Sequence, residues 1–583
     1  MMDEKQQNGT CLLKLQIGPV QDFIAQARST RDLWSGSYLL SWLMAAGLHQ
    51  LEKGGATIIY PAWDKQPLGK LRKGEPVDFE KVVIPNLPNV LLAEVSADGV
   101  QLANDTAKAI QLEWKLIAEE VWKFCGINKI ALGDKQRFDA QVRQFLSIAW
   151  KLTLRDEAHK NNWSNWITVN GSELNAVRQT RAFDAWNAGG WSVGRLNNKD
   201  SLNGRDEAIA GGPGWGDSLP PQFKHLFKNN DWTGSITLIK RLWHLAYLQA
   251  KPWKIPAEHF KMPNTCDIAA HDPDAQTRTH DEDDDHSVEE LAVSEKHFAV
   301  LAFDGDKVGD RIRTFQSAGE HNGFSEKLGR FALEEVKPVV EIYDGRVIYA
   351  GGDDVVALLP SDTALACAES LQHAFLKTTG CDASAGIAIA HFKSPLQDVV
   401  RAAQMAEKRA KRKLENGGFD CSAVAVTIYT RSGETIEWGC KWKSGGLELY
   451  NRINSALEAG KLSAKFPQRV VELLAPYLNQ RTELAKSTLA PGFENVVDEI
   501  IQCEFAAVCD RQGGSAWTSE VPETILPLLE AYLAKQEGAE TKLRAIIGLC
   551  QTVAFENRTR DDDAGLRSEI PYPQSQPVER LNP

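Results

Sequence analysis

The chain has 583 residues, 25% of them charged and 43% hydrophobic, with a formal net charge of -12. That length allows about three to five domains, while the lack of any apolar run near eighteen residues excludes a transmembrane helix and the opening MMDEKQQNGT excludes a secretory signal. Ten cysteines stand singly without a CxxC pair, as expected of reduced thiols in the cytoplasm, and the acidic balance excludes a free-standing, non-specific nucleic-acid binder.

Residues 11–17 read as an apolar strand ended by Gly18-Pro19, 36–52 as a buried helix and 57–61 as a short strand. A polar, basic-containing insertion (62–88) precedes strand 89–96 and an amphipathic helix over 103–125. Ile148, Trp150, Leu152 and Leu154 then alternate with smaller or polar residues, a period-2 strand. The order βαββαβ is the ferredoxin-like, or palm, pattern and defines a first domain over 1–159. It has no acidic motif between its second and third strands, so it is expected to be degenerate, supplying binding surface and no metal ligand.

Residues 160–297 hold eight of the 17 tryptophans and the Gly-rich stretch 187–198. Tryptophan at this density serves either base stacking or packing, and packing in a loop-rich helical middle domain is the expected role. Within it, 271–290 is an acidic linker where His271, His280 and His286 stand among carboxylates; without periodicity to fix their geometry, a solvated, disordered segment is expected. The palm order then repeats: strand 298–304, helix 324–341, strands 346–350 and 355–360 around GGDD, helix 362–378, strand 384–391, helix 395–415 with the run KRAKRK, and strand 421–429. This second palm is set at 298–435, and 436–583 is expected to be a helical C-terminal domain with a polar tail. The class is α+β, multidomain.

The chemistry centres on Asp304-Gly305-Asp306 and Gly351-Gly352-Asp353-Asp354. In a βαββαβ sheet the third strand lies between the first two and antiparallel to both, so the end of strand one meets the hairpin joining strands two and three. That topology gathers Asp304, Asp353 and Asp354 at one sheet edge. Clustered carboxylates repel unless cations occupy them, and Mg²⁺ or Mn²⁺ prefers a few carboxylates plus phosphate oxygens. Two such ions activate a 3′-hydroxyl and stabilise leaving pyrophosphate. The glycines permit a tight turn and close approach of a triphosphate. Lys411, on the helix after strand four, is placed for the phosphates, with Lys408 or Arg409 as neighbours. Gly and Asp are also ordinary hairpin residues, and KRAKRK also fits a solvated helix face.

Several stretches resemble the large polymerase/cyclase subunit of type III CRISPR RNA-guided complexes, most closely the Cmr-type (III-B) branch. They are IGPVQDFIAQARSTRDLWSGSYLLS (17–41), SITLIKRL (235–242), FDGDKVGD (303–310), YAGGDDVVALLP (349–360) and SAGIAIAHFKSPLQDVVRAA (384–403). The resemblance implies a subunit that joins other Cmr-type proteins, CRISPR RNA and target RNA, with no membrane contact. It implies conversion of ATP to cyclic oligoadenylates at the interface of two nucleotide cyclase-like palms. By resemblance Asp304, Asp353 and Asp354 hold metal, and Gly305, Asp306, Lys307, Gly351, Gly352, Ser384 and Lys411 bind nucleotide, with Ser384 against adenine. Lys411 matches the phosphate-binding lysine of the GGDEF cyclases. Two departures stand out. The HD nuclease domain common in the family is not expected here, since about ten residues precede the first strand. No structural zinc is expected either, because Asp200 and Asn203 stand where the family often has zinc-binding cysteines.

Overall fold

The computed structural model describes residues 9–156, 162–180, 198–250, 252–273, 296–478 and 495–561. The Gly-rich stretch up to 197, the linker residues His280 and His286, and the tail beyond 561 lie outside these. The described residues fall into two compact units, one ending at Lys443 and the other beginning at Ser444.

The first sheet domain runs β1 (Thr10–Gly18), α1 (Gln21–Ala25), α2 (Thr30–Lys53), β2 (Thr57–Tyr60), α3 (Pro67–Lys73), α4 (Phe79–Val82), β3 (Val90–Ser96), α5 (Val100–Ile127), α6 (Lys135–Phe145) and β4 (Ser147–Leu154). Its sheet is antiparallel, in the order β2-β3-β1-β4. Helix α2 is apolar almost all round and correspondingly buried, packed by α5 and by elements that follow later in the chain. The expected polar insertion is better ordered than its composition suggests: Trp63, Leu68, Val82, Ile84 and Leu87 are buried around α3 and α4.

Next come α7 (Trp163–Gln179), the short strands β5 (Ala210–Gly211) and β6 (Trp232–Thr233) with α8 (Pro221–Lys224) between them, then α9 (Ser235–Trp243) and α10 (Thr265–Ala269). Trp163, Trp166, Trp215 and Trp243 are buried, so these four tryptophans pack. Trp166 also donates to the Thr153 carbonyl at 3.0 Å, tying α7 to β4. Helix α9 locks the two family-like stretches 17–41 and 235–242 together. Arg241 meets Asp32 through two hydrogen bonds of 3.0 Å, and Lys240 Nζ donates to the carbonyls of Phe23 (2.6 Å) and Gln26 (2.7 Å). Burial lowers the Lys240 ammonium to about 7, against the pull of Asp32.

The second sheet domain follows as β7 (His297–Gly305), α11 (Val308–Arg313), α12 (Ala318–Arg330), α13 (Val336–Ile342), β8 (Arg346–Gly351), β9 (Asp354–Pro360), α14 (Ala364–Thr379), β10 (Ala383–His391), α15 (Leu396–Lys411), β11 (Ala423–Tyr429) and β12 (Thr435–Lys441). The strand order is β12-β11-β10-β7-β9-β8. Within it β10-β7-β9-β8 repeats the first sheet's topology, with the third strand between the first two. The helix expected over 324–341 is broken by a π-helical turn at Phe331–Glu335. Pro338 has no N–H to give Glu334, and it falls in the first turn of α13, where that absence costs no bond. Strand β12 extends the sheet past the expected boundary at 435. Helix α15 stops at Lys411 rather than 415, because Arg412 is extended.

The insertion covers the outer edge of this sheet: Ala350 N on β8 donates to the Pro85 carbonyl at 2.9 Å. The second unit contains α16 (Gly446–Glu458), α17 (Phe466–Leu478), α18 (Val497–Arg511), α19 (Glu520–Leu533) and α20 (Ala539–Asp561), with Phe466, Phe505, Ile525 and Leu529 in its core. No described helix is long and apolar enough to cross a membrane.

Candidate active site

Strands β8 and β9 are joined by Gly352 and Asp353 alone, with Gly351 paired to Asp354. Gly352 has φ +87°, and Asp353 is not in the positive-φ region. This is the pattern of a type II′ hairpin, which wants glycine at its first central position. On the inner side, Asp304 at the end of β7 pairs with Asp354 across the β7–β9 ladder, and Gly305 N donates to the Asp353 carbonyl at 3.0 Å. The hairpin and the end of β7 therefore meet as the topology requires.

Electrostatics at this edge are unfavourable to negative charge. Burial, then the Asp304 charge, pushes the Asp353 carboxyl up to about 6. Asp354 lies in a densely packed part of the molecule although its side chain still reaches solvent. Burial and the charges of Asp304, Asp353 and Glu407 raise its carboxyl well above the usual range, with solvent screening part of the effect. Among the described residues no three His, Cys, Asp or Glu side chains are gathered tightly enough to hold a metal ion by themselves. The donor set still fits Mg²⁺ or Mn²⁺, since Mg²⁺ usually takes one or two carboxylates and completes its shell with substrate phosphates and water.

Lys411, the last residue of α15, reaches this edge. Its Nζ meets the Asp304 carboxylate and donates to the Gly305 carbonyl at 3.1 Å, with Glu407 at 3.4 Å and Asp306 at 3.9 Å. Burial works against the ammonium, but Asp304 and Glu407 raise its pKa on balance. Sequence reasoning misses Glu407, although its i, i+4 spacing from Lys411 is the available signal. Of the lysine's neighbours, Arg409 points away, donating to the Val426 carbonyl at 2.7 Å and pairing with Glu437.

Ser384 requires a correction. It is fully buried, and its hydroxyl donates to both oxygens of Asp306 at 2.9 Å. With Ser422 N also donating to Asp306 at 2.7 Å, Ser384 anchors the Asp-Gly-Asp turn and presents no surface to adenine. Asp306 is likewise buried, and burial raises its carboxyl pKa despite these donors. Lys307 is exposed at the N-cap of α11, with φ +54°.

Beside the hairpin, a cleft of about 400 Å³ is lined by Arg311, Phe315, Glu320, Phe324, Lys327 and Thr379. It offers aromatic walls and two cations, none of them singled out in the sequence, because Phe324 and Lys327 read there as ordinary core and surface positions of a helix. Leu328, next to Lys327, would lie 3.7 Å from a Cβ at Gly352.

His271 also departs from expectation. It does not belong to a loose linker: its imidazole is held between Asp344 and Asp362, both at 3.0 Å. Asp200 and Asn203 close their loop with hydrogen bonds. Asp200 accepts from Leu202 N and Asn203 N at 2.8 Å and from Gly234 N at 2.6 Å, while Asn203 accepts from Arg205 N at 2.8 Å.

Residues 297–417 match the family described as Cas10/Cmr2, second palm domain, and residues 12–119 match CRISPR-associated protein Cmr2, N-terminal. A curated relative, the CRISPR system Cmr subunit Cmr2 of Pyrococcus furiosus, is 25% identical over 552 residues, covering 72% of this chain. The chain spans 62% of that relative's length. Two cryo-EM structures of the type III-B Cmr-beta complex share the fold. In the apo state the TM-score is 0.62 at 13% identity, covering 91% of this chain and 82% of the other. Bound to cognate target RNA, it is 0.66 at 12% identity, covering 95% and 83%. The chain belongs to the Cas10/Cmr2 family of CRISPR-associated proteins.

Proposed function

We propose that this chain is the nucleotide-cyclising subunit of a type III-B CRISPR complex, working with other Cmr-type subunits, CRISPR RNA and target RNA. On target binding it uses ATP to make cyclic oligoadenylates by metal-dependent nucleotidyl transfer. In this reading the second sheet domain is the active palm and the first a degenerate one. The observation that carries it is the cross-strand pair Asp304–Asp354 beside the tight hairpin, where carboxylates lie close without cations to balance them.

Asp304, Asp353 and Asp354 would hold two Mg²⁺ or Mn²⁺ ions. Bound there, the ions supply Lewis acidity toward the attacking 3′-hydroxyl and the departing pyrophosphate. Lys411 adds a fixed positive charge where phosphates arrive. The hairpin's glycines leave the backbone open to a triphosphate, and the cleft between Phe315 and Lys327 has the size and lining for the rest of a nucleotide. A complex related in fold is described with cognate target RNA, which supports target RNA as the trigger.

An idle scaffold in the same complex is the main alternative, but it leaves the repelling carboxylates without a use. A stand-alone GGDEF-type cyclase pairs two copies, whereas this chain already carries two sheets of one topology. The test is the reconstituted complex with ATP, Mg²⁺ and target RNA, its products read by mass spectrometry. Asp353→Asn with Asp354→Asn should abolish cyclic product by several orders of magnitude while assembly and RNA binding persist. Product at the wild-type rate would refute the assignment.

A further inference from the structure

We propose that Tyr60, at the end of β2 in the first sheet domain, donates a hydrogen bond to a phosphate oxygen of the nucleoside triphosphate held at the Gly351–Asp354 hairpin. Substrate binding is then shared between the two sheet domains. This rests on the nucleotidyl-transfer reading and names a residue for it.

Two phenols converge on the glycine pair. A Cβ at Gly351 would lie 1.7 Å from Tyr349 Oη, and one at Gly352 would lie 3.8 Å from Tyr60 Oη. Tyr349 belongs to β8 and fills the space over its own turn. Tyr60 comes from the other domain and places its hydroxyl over the backbone that glycine keeps bare.

Its position is set by the second domain on both sides. Asn322 Nδ2 donates to the carbonyls of Ile58 (3.3 Å) and Ile59 (3.1 Å), just before Tyr60. Ala62 N, just after it, donates to Ser325 Oγ at 2.7 Å. The ring stacks on His321, with centroids 6.4 Å apart and planes 30° apart. Asn322, Ser325 and His321 all lie on α12, so one helix fixes the backbone and the ring together.

The hydroxyl is kept in the donor form. Burial, followed by the charges of Asp353, Asp354 and Asp304, raises its pKa well above the ordinary phenol value. A neutral O–H at an edge dominated by acceptors suits an anionic oxygen brought in with cations, because hydrogen bonds to charged acceptors are the stronger kind.

The test is Tyr60→Phe in the assembled complex, a change that keeps the ring and its stack on His321. Equilibrium binding of a non-hydrolysable ATP analogue is measured at saturating Mg²⁺ and across a Mg²⁺ titration. The analogue's Kd should rise about tenfold or more, with the Mg²⁺ concentration for half-maximal binding unchanged. In turnover, KM should rise while kcat stays near wild type. Unchanged analogue affinity would overturn the proposal, as would a loss that excess Mg²⁺ restores, because the phenol would then act through the carboxylates. A wild-type complex that binds no analogue would overturn the nucleotidyl-transfer reading as well, which the variant comparison alone cannot do.

Discussion

Asp304 and Asp354 stand directly opposite each other across the β7–β9 ladder, a like-charge pair at positions where sheets gain from opposite charges. Asp353 adds a further carboxylate in the adjoining turn, and the Lys411 ammonium rests on Asp304 alone among these three. The arrangement weakens the metal-free fold locally, which makes several consequences measurable.

Asp353→Asn should stabilise the metal-free protein at neutral pH. The folded carboxyl titrates near 6, against about 3.9 in an unfolded chain. The folded state thus binds this proton more tightly, and the stability it contributes is fully present below the unfolded value and lost as pH rises through 6. In chelator at pH 7.5 the variant should melt above wild type, by about 2–4 °C for each 1 kcal/mol recovered. Below pH 4 the two should converge. Thermal unfolding at both pH values decides it, and a variant melting lower at pH 7.5 would contradict the account.

Lys411→Ala should do the opposite. Removing the ammonium leaves Asp304, Asp306 and Glu407 without their shared cation. The expected result is a lower Tm in chelator and a larger Tm gain on adding Mg²⁺ with ATP than wild type shows. Product formation should fall about tenfold, the effect of deleting one charge-assisted hydrogen bond out of several to the phosphates. A Tm gain on ligand no greater than wild type's would show that the lysine does not balance these carboxylates.

Gly386→Ala tests how Lys411 is delivered. A Cβ at Gly386 on β10 would lie 2.0 Å from Glu407 N and 2.2 Å from the Ala403 carbonyl, both backbone atoms of α15. The helix must lift from the sheet, at a cost of about 1–3 kcal/mol, and the side chains of Glu407 and Lys411 move with it. Denaturant unfolding should show the loss of stability. Nucleotide product should drop in parallel, and full activity at unchanged stability would refute the packing argument.

His271 should impose an alkaline limit. Although burial opposes it, the hydrogen bonds to Asp362 and Asp344 raise the imidazole pKa to about 9. Its contribution to stability is fully present below about 6.5 and disappears as pH rises through 9. His271→Gln should therefore melt below wild type at pH 6 and match it by pH 10. An equal gap at both pH values would mean that the histidine acts through packing.

The sheets are legible in the sequence because their strands are short, apolar and separated by clear turns, and the βαββαβ order determines which carboxylates share an edge. Strand β12 is also readable in principle: Ile436, Trp438 and Cys440 alternate with exposed or smaller residues and are buried. The helical character of the following segment hides it. Other features are set by long-range interactions that no local pattern announces. Ser384 looks like an available hydroxyl until β7 brings Asp306 against it. Tyr60 and the cleft beside Lys327 acquire meaning only when α12 docks on β2. His271 lies in a run of charges whose composition points to solvent, and two aspartates distant in sequence hold it instead.

The Pro85–Ala350 hydrogen bond also bears on how the chain is made. The cover for β8 is translated long before the strand it covers, and domains generally fold N-terminal first during synthesis. An open strand edge is a template for pairing with another chain. Here the nascent β8 meets a partner on its own polypeptide as soon as it emerges, so order of synthesis itself guards a fold that carries two similar sheets against exchanging them between copies.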